Sequence, residues 1–150
     1  MEFKTINDIL DFAINNEQTA CDFYNKLSSE SNDKVMKETF SSYAKEENAH
    51  KVRLEKIKET GVYNAEKKEI LDLKISDYLV SVKSSKNMTY QDALILAMKR
   101  EKAAYKLYMK LSQIAPNADL KNIFKNLAAD EAKHKLRFEI EYDDVIYREN

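Results

Sequence analysis

The sequence predicts an all-α protein of four long helices, formed by duplicating one helical hairpin, with a long connection between the copies. Composition is the first reason. The 150 residues include one Gly, one Pro and 34% charged residues, which favours long helices and short turns. Periodicity is the second: apolar positions recur at steps of three and four, and no run alternates with period two between turn signals. The third is that the second half of the chain repeats the first at a fixed offset of 84 residues.

Each element has its own start and stop. Thr5-Ile-Asn-Asp8 has the layout of a capping box and opens helix 1, which runs to about Ser28. The polar cluster SSESND at 28–33 turns the chain into helix 2, and Gly61 is placed to cap its end. Thr89-Tyr-Gln-Asp92 opens helix 3 with the same box. Pro116 and Asn117 mark the turn into helix 4, which continues to about Asp143. The repeat needs no gap: Thr5, Leu10, Glu17, Tyr24, Phe40, Glu47 and His50 recur as Thr89, Leu94, Glu101, Tyr108, Phe124, Glu131 and His134.

The connection from 62 to 88 is 27 residues long, where neighbouring antiparallel helices need only a handful. A helix of about 28 residues is roughly 42 Å long, and this segment can run back along all of it. Helices 2 and 3 are therefore expected to be parallel, joined by a crossover with room for a short helix in ISDYLVSV. That is the topology of ferritin-like bundles; a plain up-down-up-down bundle with a loose loop is the alternative.

Several function classes are disfavoured. A formal net charge of −1, with no basic stripe interleaved with aromatics, gives nucleic acid no support. The longest apolar run, ALILAM at 93–98, is too short to cross a bilayer. MEFKTINDIL lacks the layout of a secretion signal, so a cytoplasmic location is expected. The single cysteine excludes an internal disulfide and any Cys-x-x-Cys metal knuckle. Cys21 itself reads either as a small residue near the core or as a redox group.

The chemistry lies in polar residues on apolar seams. In helix 2 the series 36, 40, 43, 47, 50, 54, 57 is unbroken only if Glu47 and His50 belong to it. Helix 1 has Leu10, Ala13, Glu17, Ala20, Tyr24 and Leu27, and helix 3 repeats that seam with Glu101. Helix 4 reads Leu120, Phe124, Leu127, Glu131, His134 and Phe138. Each glutamate lies about four turns from its hairpin's bend, so all four are expected in one layer. A buried charge without compensation is costly. Four glutamates carry −4, which two divalent cations neutralise. Four carboxylates with two imidazoles suit iron or manganese, and one Glu on each of two helices plus Glu-x-x-His on the others is the di-metal bundle pattern. Metal-free, such a layer would have to protonate or open.

Around this layer two readings stand for several residues. Tyr24 and Tyr108 lie two turns beyond Glu17 and Glu101, either as core aromatics or as phenols donating to a ligand carboxylate. Glu46 and Asp130 are either surface charge or groups that orient the histidine rings.

The stretches NNEQTACDFYNKLS, KEENAHKVRLEK, MKREKAAYKLYMKLS and LAADEAKHKLRFEIEYD resemble the rubrerythrin family of ferritin-like proteins, over nearly the whole chain. The resemblance implies that Glu47 and Glu131 bridge two metal ions, that Glu17 and His50 complete one site, and that Glu101 and His134 complete the other. It implies two iron ions, or a manganese or mixed pair, in a homodimer. Two departures stand out. No rubredoxin-like Cys-x-x-Cys domain is present, so electrons must come from a separate electron-donor protein. The family's seventh carboxylate, one turn after the helix-3 Glu, is Ala104 here, with Ala20 at the symmetric place. The remaining six-ligand set resembles the ferroxidase centre of bacterioferritin, although the chain to Asn150 leaves little for the fifth helix of a storage cage.

Three functions compete. The first is an oxidoreductase that reduces hydrogen peroxide or dioxygen at the metal pair. The second is iron handling, by ferroxidase activity, transport or storage. The third is a helical module with a structural metal.

Overall fold

A computed structural model of the chain describes residues 5–61 and 88–149. They form four helices: α1 (Ile6–Glu30), α2 (Lys34–Thr60), α3 (Tyr90–Ile114) and α4 (Ala118–Glu149). No strand occurs among the described residues. The chain divides into two compact units, Met1–Lys74 and Ile75–Asn150, each containing one helical hairpin. The expected crossover and its short helix in ISDYLVSV lie outside the described residues.

In the first unit the capping box is complete. The Thr5 hydroxyl accepts from the Asp8 amide at 3.0 Å, and the Asp8 carboxylate accepts from the Thr5 amide at 3.1 Å. Two orphan donors at the helix start are thereby satisfied, which is worth about 1 kcal/mol. Three residues, 31–33, then suffice to reverse the chain. Asp33 caps α2 by accepting from the Val35 and Met36 amides, and Ser28 Oγ donates to the Lys37 carbonyl at 2.8 Å. Gly61 ends α2 at φ 66°, a left-handed conformation that a side chain would penalise.

Cross-helix pairs fix the antiparallel register of this hairpin. Lys58 pairs with Asp11, and Lys51 Nζ donates to Gln18 Oε1 at 2.6 Å. The Lys58–Asp11 pair is half exposed and adds little stability by itself. Burial contributes more: Leu10, Tyr24, Phe40 and Leu54 are all fully buried, at about 1.5–3 kcal/mol for each large apolar side chain. Tyr24 stacks on Phe40 with centroids 6.5 Å apart and meets Tyr43 edge-on at 6.2 Å.

The second unit is built alike. The Thr89 hydroxyl accepts from the Asp92 amide at 3.0 Å. Asn117 caps α4, its side-chain oxygen accepting from the Leu120 amide at 2.9 Å. Leu94, Leu96, Leu111, Phe124 and Phe138 are fully buried.

Two expectations change. Helix α4 continues to Glu149, well past Asp143, because Val145 is still buried and Arg148 reaches back to Glu141. On α2 the buried position is Ala44, with Tyr43 only half-buried. A real helix turns every 3.6 residues, so its buried face drifts away from a strict 3.5-residue seam.

Candidate metal centre

Antiparallel pairing sets the height of each polar side chain. In the first unit Gln18 meets Lys51, so Glu17 on α1 must lie level with His50 on α2. Glu47 precedes His50 by three residues and so shares its face. All three are buried, at 2%, 1% and 6% exposure for Glu17, Glu47 and His50. Each offers one ligand atom, and the three atoms lie within 4.8 Å of one another. His50 Nδ1 is 3.5 Å from Glu17 Oε2 and 3.8 Å from Glu47 Oε1.

The second unit repeats the triad with Glu101 from α3 and Glu131 and His134 from α4, all at most 2% exposed. Their ligand atoms also lie within 4.8 Å of one another, with His134 Nδ1 3.7 Å from Glu101 Oε1. All six residues singled out in the sequence are therefore buried, and each hairpin brings its own three together.

The spacing is informative. Distances of 3.5–3.8 Å are too long for good N–H···O hydrogen bonds. Two ligands each about 2.1 Å from a divalent first-row ion stand roughly 3.0–3.4 Å apart. The donors thus sit slightly wider than ligands around an ion, and a small contraction would close on it. Two hard oxygens with one imidazole nitrogen form a donor set that iron and manganese accept. The residues present fit a metal ion in each triad.

Other candidates fall out differently. Tyr24 and Tyr108 are fully buried, and Tyr24 is embedded among Phe23, Phe40 and Tyr43. Glu46 is exposed and Asp130 half-buried. Ala104 is half-buried and Ala20 buried. Cys21 is a free, half-buried thiol. Burial pushes it above its ordinary value, Asp22 adds to this, Lys51 opposes it, and Glu47 and Glu17 add smaller contributions.

Sequence reasoning missed Glu141. It is 6% exposed, with Arg148 Nη2 at 3.3 Å and Arg137 Nη2 at 3.9 Å. Extending the α4 seam from Glu131, His134 and Phe138 by three residues would have found it. Its counterpart 84 residues earlier is Ile57, an ordinary core residue, so Glu141 belongs to the end of α4 and not to the repeated triad.

Comparison with known proteins agrees with this geometry. The chain is similar to a hypothetical protein from Pyrococcus furiosus of known structure, with TM-score 0.71 and 26% identity over 93% of this chain and 89% of the other. A comparison with curated proteins found no significant match. The Rubrerythrin family model matches residues 8–144, which run from the first turn of α1 into the last turns of α4. The chain is therefore a member of the Rubrerythrin family, with the all-α, ferritin-like fold class that its sequence predicts.

Proposed function

We propose that the two triads together hold a pair of metal ions, iron in the first instance, and that the loaded protein reduces hydrogen peroxide or dioxygen with electrons from a separate protein. The observation that carries this reading is the repeated triad. Each hairpin gathers two buried carboxylates and an imidazole at ligand spacing, in a chain whose family is a di-iron one. The four carboxylates balance the charge of two divalent ions, which explains how such a layer is tolerated in a core. When bound, a pair of ferrous ions supplies two electrons to a single O–O bond.

The chain's own residues do the rest. Glu17, Glu47 and His50 would hold one ion, and Glu101, Glu131 and His134 the other. Near-complete burial excludes bulk water, which strengthens every electrostatic interaction at the site. Tyr24 and Tyr108 lie seven residues beyond Glu17 and Glu101. Seven residues span about 10.5 Å of helix, so these fully buried phenols lie beyond the carboxylates of their own helices, and their proposed part is to supply protons to the site. A free thiol with no disulfide partner suits a cytoplasmic setting. No helix among the described residues is long and apolar enough to cross a membrane.

Ferroxidase activity is the second reading. Its support is alanine at positions 20 and 104, which leaves six ligands. Anaerobic loading with ferrous iron, followed by rapid mixing with peroxide and with dioxygen separately, distinguishes the two. About two irons per chain and rapid, catalytic peroxide consumption are expected. Continued iron uptake into a mineral would favour iron handling. No reaction with either oxidant would leave a structural metal. Glu131→Ala should reduce the metal content, and full occupancy in that variant would refute the site assignment.

A further inference from the structure

On a solvent-exposed face the α3–α4 hairpin carries a groove of about 380 Å³, with Lys102, Tyr105 and Lys106 on one wall and Lys135, Leu136 and Glu139 on the other. We infer that this groove is the docking site of the electron donor, a small acidic one-electron carrier protein. The inference rests on the peroxide-reducing reading above and names the partner for that reaction.

Three observations lead there. The first is that the groove is apolar yet uncovered. Tyr105 is 39% exposed, Leu136 57%, and Ile140, one turn further along α4, 46%. Small-molecule pockets bury most of their ligand, and walls this exposed would leave a small ligand half in water. An exposed apolar strip with a polar rim is the anatomy of a protein interface.

The second is charge. Three lysines against one glutamate give this groove a net +2, in a chain whose formal net charge is −1. Lys135 pairs with Glu139, whereas Lys102 and Lys106 have no ion pair among the described residues. The same face of the other hairpin differs. There the positions 84 residues earlier are Gln18, Cys21, Asp22, Lys51, Val52 and Glu55, with a net charge of −1. Gln18 closes that face by donating to Asp22 at 2.9 Å while accepting from Lys51 at 2.6 Å. Duplication kept the ligands on both hairpins but left a cationic, apolar face on only one. Such a local field steers an acidic partner and speeds its association.

The third is position. Lys102 follows Glu101 directly, and Ala132 and Lys135 follow Glu131 and His134. Tyr105 and Lys135 stand one turn beyond Glu101 and Glu131, so groove and triad lie on neighbouring faces of the same helical turns, with no more than the thickness of a helix, about 10 Å, between them. A carrier seated in the groove delivers its electron through α3 and α4 themselves. Two encounters, each oxidising one carrier by one electron, supply two electrons. With two protons from solvent these convert one hydrogen peroxide into two waters.

The test uses the iron-loaded full chain and two reductants. One is reduced plant-type ferredoxin, an acidic one-electron protein; the other is reduced methyl viologen, a small cation that needs no docking site. Stopped-flow measurement with peroxide should show ferredoxin oxidation slowing at least tenfold in Lys102→Glu/Lys106→Glu. The wild-type rate should fall steeply with salt, and the viologen rate should be equal in both proteins. Equal ferredoxin rates in wild type and variant, with viologen turnover intact, would overturn the groove as the docking site. Absence of peroxide turnover with viologen in the wild type would overturn the peroxide-reducing reading, and the docking inference with it. Sedimentation completes the comparison: a wild-type dimer that becomes monomeric in the variant would show that the groove is filled by a second copy, not by a donor.

Discussion

Replacing Glu47 by Gln should stabilise the metal-free protein and destabilise the metal-loaded one. In the first unit a carboxylate oxygen of Glu47 lies within 4.8 Å of one from Glu17. Two unit charges at that distance would repel by about 3.5 kcal/mol at an effective dielectric near 20, an upper bound that the metal-free protein reduces by protonating or opening the site. His50 Nδ1, 3.5 and 3.8 Å from the two carboxylates, offsets part of this when protonated, so a net gain of about 1–2 kcal/mol is expected on neutralising Glu47. For a chain of this size that raises Tm by roughly 2–8 °C. Glutamine keeps the length and hydrogen-bonding capacity of the side chain, so packing changes little. With metal the order reverses. An ion present at about a thousand times its Kd stabilises the wild type by roughly 4 kcal/mol, and the variant lacks one of the ligands that hold it. The assay is calorimetry at pH 8, first with a chelator and then with manganese, which avoids oxidation during the scan. If Glu47→Gln lowers Tm equally in both conditions, its carboxylate is an ordinary structural group and the charge argument fails.

Three further outcomes are expected. Ala104→Glu adds a carboxylate where the family has its seventh ligand, and should raise the ratio of peroxide to dioxygen rates in the loaded protein; an unchanged ratio would show that this position does not set oxidant choice. Cys21 should react slowly with iodoacetamide at pH 8, with an inflection above that of a free thiol, because burial and Asp22 disfavour its thiolate. Asp22→Asn should move that inflection down and Lys51→Ala should move it up; a free-thiol profile would contradict the burial. Glu141→Ile installs the residue found at its counterpart and should be neutral or stabilising in urea titrations. Arg148→Ala leaves the buried carboxylate with a weaker partner; because that arginine is 60% exposed, the cost should be only about 1 kcal/mol.

Much of the fold and of the candidate site is legible in the sequence. Thr5 and Asp8, Thr89 and Asp92, and Gly61 act through local geometry, so a few adjacent residues suffice to recognise them. The six candidate ligands were visible because a charge on an apolar seam breaks the pattern, and the 84-residue repeat showed it twice. What escaped lay beyond an expected boundary or depended on a second helix. Glu141 is tolerated because Arg148, two turns further along α4, reaches back to it, and the sequence predicts an end to helix 4 near Asp143, before that arginine. The groove was hidden for a related reason. Tyr105 and Leu136 are unremarkable on separate helices, and become a surface only when α3 lies against α4. Tyr43 and Ala44 exchanged places because a strict heptad misjudges the helical repeat by a tenth of a residue per turn.

The confinement of each triad to one hairpin has a consequence for how the protein acquires metal during synthesis. Glu17 and His50 are 33 residues apart, as are Glu101 and His134, so three donors are complete as soon as α2 has been made. From Thr60 to His134, which completes the second triad, 74 residues are added, which takes roughly 4–15 s at about 5–20 residues per second. For that interval a nascent chain presents two carboxylates and one imidazole to the cellular metal pool before their counterparts exist. Such a partial chelator follows the general order of affinities, under which zinc and copper bind more tightly than iron. On the proposed function, which ion a finished molecule carries would then depend on what was available during translation, as well as on the preference of the completed centre. Protein produced in zinc-rich medium would thus emerge mismetallated, with its first triad the entry point for the wrong ion.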